Sequence, residues 1–272
     1  AEQGLGDQIM FLTLALPLIR DTEIQISIEV DNKLVELVSA WYPEATVSRL
    51  ENFDCADEKG YERFDYHLPI GTLPKFFLPD IENLHQRPIR LLRGDLVLKK
   101  SVLENAKFED PTLPLVGICW RSSLLNSQRN SGYLNVEAAV KLASDLKGRC
   151  NFVSLQYAMK DSELSALADQ SNVFVPEEDF FSDVTSHAKY IGICDLVVTA
   201  GTLTSQLAGI FDRNTLTWGV GGWTFLGERQ YPWYRNHASI ALENNFDKQS
   251  LINQLLRWVN LSTEHSSTVQ AQ

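Results

Sequence analysis

The chain has 272 residues, 44% of them hydrophobic and 22% charged, which excludes wholesale disorder and allows one large domain or two modest ones. A net charge of −11 excludes the basic footprint that nucleic-acid binding requires. Residues 1–111 carry 12 basic against 20 acidic side chains and residues 112–272 carry 12 against 15, so a phosphorylated ligand fits the second half better.

Gly4-Leu5-Gly6-Asp7 opens the chain with almost no strand before it, and this start at Ala1 reads as a piece of a longer polypeptide. Residues 9–19 are apolar along a helical stripe, with Pro17 near the end. Residues 23–30 (EIQISIEV) alternate as a half-buried strand does, and 33–42 return to helical spacing. A short segment at 46–50, a charge-rich stretch at 53–66 and a turn-rich segment at 68–74 follow. Residues 85–111 read as irregular and contain Arg87, Arg90 and Arg93. Two prolines and no apolar period place a linker at 105–114 (NAKFEDPTLP), dividing the chain into residues 1–110 and 111–272.

Beyond the linker the alternation is clearer. Residues 115–120 (LVGICW) form a continuous apolar run, as in a strand buried on both faces of a parallel sheet. A helix over 136–146, a strand over 151–155, a helix over 161–169 and a short strand over 173–175 follow. Then come a helix over 183–193, a strand over 196–199, a helix over 205–211, a strand over 215–218 and a last helix over 248–259. A loose polar tail is expected from residue 262. The fold class is therefore α/β, with two Rossmann-like domains facing each other across a cleft.

Cys55, Cys119, Cys150 and Cys194 lie far apart, and Cys119 and Cys194 sit in apolar runs. They read as core residues of a protein in a reducing, cytoplasmic compartment. The five histidines have no zinc-binding spacing, so no metal or cofactor is expected. There is no GxSxG elbow, no GxxxxGK[ST] loop and no run of about 18 apolar residues.

Four constellations carry chemistry. In the first, Gly4 and Gly6 bring a backbone turn to the start of an apolar helix, where free N–H groups face an anion; the same residues also suit a plain turn with Asp7 as N-cap. Ile9 stands where a dinucleotide fingerprint needs its third glycine, which disfavours a nicotinamide-dependent oxidoreductase. In the second, a buried strand ends in Arg121, Ser122 and Ser123. Arg121 there either pairs a diphosphate or is a solvated side chain. In the third, Gly201-Thr202-Leu203-Thr204-Ser205 sets three hydroxyls at the start of a helix, the form of an anion site. In the fourth, Gly219, Gly221, Gly222 and Trp223 precede Glu228-Arg229 and Tyr231-Pro232-Trp233-Tyr234. This segment suits the floor of a base or sugar pocket, or simply aromatic core.

Residues 2–9, 117–122 with 154–157, 195–209 and 231–234 occur in an order that resembles a known family over nearly the whole chain. They look like the C-terminal catalytic regions of bacterial tetratricopeptide-repeat proteins related to the lipopolysaccharide heptosyltransferases. The resemblance implies a GT-B fold and an inverting, metal-independent glycosyl transfer from a nucleotide-diphospho-sugar held by the second domain. The acceptor is a protein, a glycan or a lipid, and a helical repeat arm lies upstream. By the same resemblance Asp7 is the general base and Thr202 begins the phosphate-binding helix; should Asp7 be only a cap, Glu228 is the next candidate base. The absence of any Asp-x-Asp agrees with a metal-free site. Two positions depart from the family: Gly201 stands where an aspartate is usual and Gln206 where a histidine is. They keep open the alternative of a non-catalytic sugar- or nucleotide-binding scaffold attached to the repeat arm.

Overall fold

The computed structural model describes residues 4–21, 23–50, 64–78, 81–123, 132–220, 223–228, 231–242 and 247–270. In the first half α1 (Leu5–Leu12) and α2 (Leu16–Arg20) are separate helices, where one was expected. Pro17 starts the second helix instead of ending the first, because proline suits a first turn whose N–H has no partner. Strand β1 (Ser27–Val30) leads through a 3-10 turn at Asn32–Leu34 into α3 (Val35–Trp41) and then β2 (Thr46–Arg49). The two strands pair in parallel, Ile28 opposite Val47. A short helix, α4 (Leu73–Phe77), follows. Most of the charge-rich stretch, including Cys55, lies outside the described residues.

Residues 85–111 are not irregular throughout: α5 (Leu96–Asn105) lies inside them. Its cap is Asp95, whose carboxylate accepts from the N–H groups of Val97 and Leu98. Residues 106–114 then carry no helix or strand, as the prolines predict.

The second half is a six-stranded sheet with every pair parallel, in the order β5–β4–β3–β6–β7–β8. In chain order it runs β3 (Leu115–Cys119), α6 (Val136–Asp145), β4 (Asn151–Ser154), α7 (Asp161–Ala168) and β5 (Val173–Phe174). It continues with α8 (Val184–Ile193), β6 (Leu196–Ala200), α9 (Leu203–Ile210), β7 (Asn214–Val220), β8 (His237–Leu242) and α10 (Lys248–Gln270). Strand β8 was not expected. The last helix runs to Gln270 and does not give way to a loose tail at 262. No helix among the described residues is long and apolar enough to cross a membrane.

Successive residues of β3 point to opposite faces of the sheet. Leu115 and Cys119 join a core that continues into the first half through Ile9, Leu12, Val30 and Trp41, whereas Val116, Ile118 and Trp120 pack under α6 and α10. Cys119, Cys150 and Cys194 are all buried as free thiols, and burial pushes Cys150 and Cys194 up to about 12.

Polar contacts pin the halves together. Arg87 is buried and donates to the carbonyls of Leu84 (2.8 Å) and Trp233 (2.9 Å) and to the Thr13 hydroxyl. Leu92 N–H donates to Ile210 O at 2.9 Å, and Lys99 pairs with Asp195 at 2.6 Å.

Candidate functional site

Strands β3 and β6 are neighbours, but the chain leaves β3 towards β4 on one side and leaves β6 towards β7 on the other. Their carboxyl ends therefore cannot both be covered by the same crossover, and a crevice opens at that point. A cavity of about 580 Å³ occupies it. Helix α1 packs against α9, and both helices begin at this cavity: residues 4–7 line one side and residues 201–203, 205 and 206 another. The first N–H groups of a helix have no partner one turn back, and its dipole is positive at that end. Two such ends facing one space favour an anionic ligand.

Gly6 eases this approach. A side chain there would begin 3.3 Å from Gln206 Cγ, tight enough to make that side chain shift by a few tenths of an ångström, and 3.6 Å from Leu203 Cα, an ordinary contact. Gly4, not Asp7, is the N-cap residue of α1. Asp7 sits within the first turn, with its carboxylate over Gly4, where an added Cβ would lie 3.1 Å from Asp7 Oδ2. Asp7 lines the cavity.

At the start of α9, Thr202 is the cap and its hydroxyl accepts from Thr204 N–H at 3.3 Å. Thr202, Ser205 and His187 line the cavity; Thr204 does not, and its hydroxyl lies 3.5 Å from His187 Nε2. His187 is fully buried, and burial drives its pKa down to about 3, so it is neutral at pH 7. Gln206 is spent on structure: its Nε2 donates to the Tyr231 hydroxyl at 2.5 Å and its Oε1 accepts from the Tyr234 hydroxyl at 3.1 Å. Position 201 is sterically open to a larger residue, since an added Cβ would meet only Trp218 O, at 3.5 Å.

Arg121 is placed differently from the expectation. It is absent from the cavity lining, and its guanidinium is held by Glu163, with Nη2 at 2.5 Å from Oε2 and Nε at 3.2 Å from Oε1. Burial alone would raise the Glu163 pKa; the Arg121 hydrogen bonds, with those from Lys160 N–H and the Trp120 ring, hold it below the ordinary carboxylate value. The backbone after β3 is fixed by Gln156, whose Oε1 accepts from the N–H groups of Trp120 and Arg121, each at 3.0 Å. Its Nε2 donates to the carbonyls of Arg121 and Tyr157. This buried amide sets Ser122 and Tyr157 on the cavity wall.

Gly221, Gly222 and Arg229 lie outside the described residues, while Gly219 and Trp223 line the cavity. Glu228 is exposed and is not part of the lining. Tyr231 is in the lining, whereas Trp233 and Tyr234 are core.

The structure adds residues that the sequence did not single out. Thr217, near the end of β7, is 2% exposed, and its hydroxyl has no hydrogen-bond partner among the described residues. An orphaned hydroxyl on a cavity wall marks a place for a polar ligand atom. Phe180 and Phe181 precede α8, and Lys33 reaches in from the 3-10 turn after β1. The signal for Thr217 was its position at the end of a parallel strand; Lys33 had none. Among the described residues no cluster of three or more His, Cys, Asp or Glu side chains is placed to hold a metal.

Comparison with known proteins bears on the fold. No protein-family model matches the sequence. Protein FlbA of Caulobacter vibrioides is 26% identical over 266 residues, covering 89% of this chain; the chain spans 42% of the length of that relative. Among solved structures, the Escherichia coli ADP-heptose lipopolysaccharide heptosyltransferase II superposes with a TM-score of 0.64 at 14% identity, over 96% of this chain and 95% of that one. A family 9 glycosyl transferase from Veillonella parvula gives 0.62 at 11% identity, over 96% and 91%. E. coli heptosyltransferase WaaC with ADP gives 0.53 at 12% identity, over 95% and 96%. The chain thus has the two-part α/β fold of these GT-B glycosyltransferases.

Proposed function

We propose that this chain is a glycosyltransferase module that moves a sugar from a nucleotide-diphospho-sugar to an acceptor, with inversion and without a metal. One observation carries the reading: a single cavity at the strand switch point has the start of α9 on one wall and Asp7, from the start of α1, on another. Two of these solved neighbours are heptosyltransferases, one of them bound to ADP, which makes ADP the first nucleotide to try.

In this reading the diphosphate lies against the first turn of α9, where the Leu203 N–H and the hydroxyls of Thr202 and Ser205 face it. Asp7 takes the proton from an acceptor hydroxyl as its oxygen attacks the anomeric carbon. The bond from that carbon to the diphosphate oxygen breaks on the opposite face, and the departing charge is met by the positive end of α9. Asp7 belongs to α1 and the phosphate site to α9, and the two helix starts lie close together at Gly6 and Leu203.

A second reading is favoured by Gln206 and Gly201. With both ends of Gln206 committed to tyrosines and no carboxylate at 201, the module could bind a sugar nucleotide without turning it over. The domain division at residue 110 and an upstream repeat arm belong to the proposal as well.

Calorimetric titration with ADP, GDP and UDP, with and without EDTA, tests the binding half, and turnover of the corresponding donors tests the chemical half. Binding that EDTA abolishes contradicts the metal-free claim. Binding without turnover selects the scaffold; no binding by any nucleotide removes the glycosyltransferase reading and leaves a sugar-binding scaffold.

A further inference from the structure

Lys33 is built into the cavity by a chain of fixed contacts. Gln8 of α1 is 3% exposed, and its Oε1 accepts the Asp31 N–H at 3.0 Å; Asp31 Oδ1 in turn accepts the Lys33 N–H at 2.9 Å. The Lys33 ammonium donates to Phe181 O at 2.7 Å and lies 3.9 Å from the centre of the Phe181 ring. The Phe181 backbone is fixed in turn, because Asp179 accepts from Phe181 N–H at 3.0 Å and from the Ser182 hydroxyl at 2.7 Å, while the ring itself is about half exposed.

An ammonium has three N–H donors, and one is used here. Among the described residues Lys33 makes no salt bridge, although, after the Ser182 hydroxyl, its charge helps hold the nearby Asp179 carboxyl below its ordinary value. The charged side chains of the described lining are Lys33 and Asp7. The start of α9 already offers donors for a diphosphate, and Lys33 adds positive charge from another element, against Phe181. In a chain of net charge −11, a half-buried cation at the edge of the site with donors to spare selects a second negative group.

We propose that Lys33 reads an anionic substituent, a carboxylate or a phosphate, on the sugar or on the acceptor that enters the cavity. The location rests on the nucleotide-sugar reading; the chemistry rests on Lys33 itself. The Lys33 ammonium is a compact point charge, so it pairs with a single oxygen of that group and lacks the two-point fork of an arginine.

Acetylation of Lys33 by a soluble N-hydroxysuccinimide ester, read by mass spectrometry, tests this, with exposed Lys100 as internal reference. The donor arm compares UDP, UDP-glucose and UDP-glucuronate. The acceptor arm compares glucose, glucuronate and glucose 6-phosphate, with and without ADP. The expected result is that the acidic member of one arm slows Lys33 acetylation roughly three- to tenfold while its neutral counterpart does not. The arm that responds identifies whether the sugar or the acceptor carries the charge. Equal slowing by UDP alone would assign Lys33 to the diphosphate and overturn the proposal. No slowing in either arm would reduce Lys33 to a latch on Phe181 and overturn it too. Calorimetry on the same samples keeps the two failures apart: absent nucleotide binding defeats the nucleotide-sugar reading, while the free-acid arm still decides Lys33.

Discussion

Replacing Arg121 with alanine separates a residue that holds the fold from one that holds the ligand. Arg121 and Glu163 each have side chains 11% exposed, and the pair is bidentate. Arg121→Ala leaves Glu163 with the Trp120 ring N–H at 3.3 Å and the Lys160 N–H at 2.9 Å. Stranding one partner of a fully buried pair costs about 3–5 kcal/mol, and an exposed pair is worth about 0–1 kcal/mol. With two donors remaining, the expected loss is about 1–3 kcal/mol. Glu163 has a depressed pKa in the folded chain, so the pair's contribution is present above the unfolded value of about 4.3 and fades as pH falls through the folded value. Urea denaturation of wild type and Arg121→Ala at pH 7 should therefore show the deficit, and the gap should narrow below about pH 4. ADP affinity, measured by calorimetry, should change by less than about threefold, since the guanidinium does not line the cavity. Unchanged stability with a tenfold loss of ADP affinity would refute this account of Arg121.

Asp7→Asn should retain nucleotide binding and lower transfer by roughly 10²–10⁴-fold, the usual contribution of a general base; near-normal turnover in that variant removes Asp7 from the chemistry. Gly94→Ala should destabilise by about 1–3 kcal/mol or more, because its Cβ would fall 2.1 Å from Gly192 O, a backbone atom that cannot swing aside. A urea midpoint equal to wild type would show that the α5–α8 contact yields. Burial lowers His187 and His237 to about 3, so both stay neutral in the fold and charge on unfolding. Their contribution is complete above the unfolded value of about 6.5 and declines as pH falls towards 3, by at most about 1.4 kcal/mol per pH unit for each. His237→Leu should flatten that slope between pH 7 and 5; an unaltered slope would show that His237 does not carry it.

The second half was legible because its strands are buried on both faces. Continuous apolar runs such as those of β3 and β6 need no knowledge of their partners to be recognised. Strand β8 was hidden because HASIAL mixes polar and small residues, and its place comes from pairing with β7. Helix α5 was hidden because its apolar residues are few, with Leu96 and Val97 each 80% exposed; the available signal was the Asp95 cap. The hydroxyl-rich start of α9 was visible because a single local segment supplies it. Arg121 was misplaced because a strand-end arginine does not reveal that Glu163, 42 residues on, will claim it. Lys33, Thr217 and Phe181 come from three distant elements, and no spacing rule can gather residues that only the tertiary fold brings together.

The crystal structure of the chain grown with ADP in EDTA tests the central claim most directly. The account predicts the diphosphate against the first turn of α9, within reach of the Leu203 N–H and the hydroxyls of Thr202 and Ser205, with Asp7 lining the same cavity. ADP bound elsewhere on the chain, or a cavity left empty at saturating ADP, would contradict it.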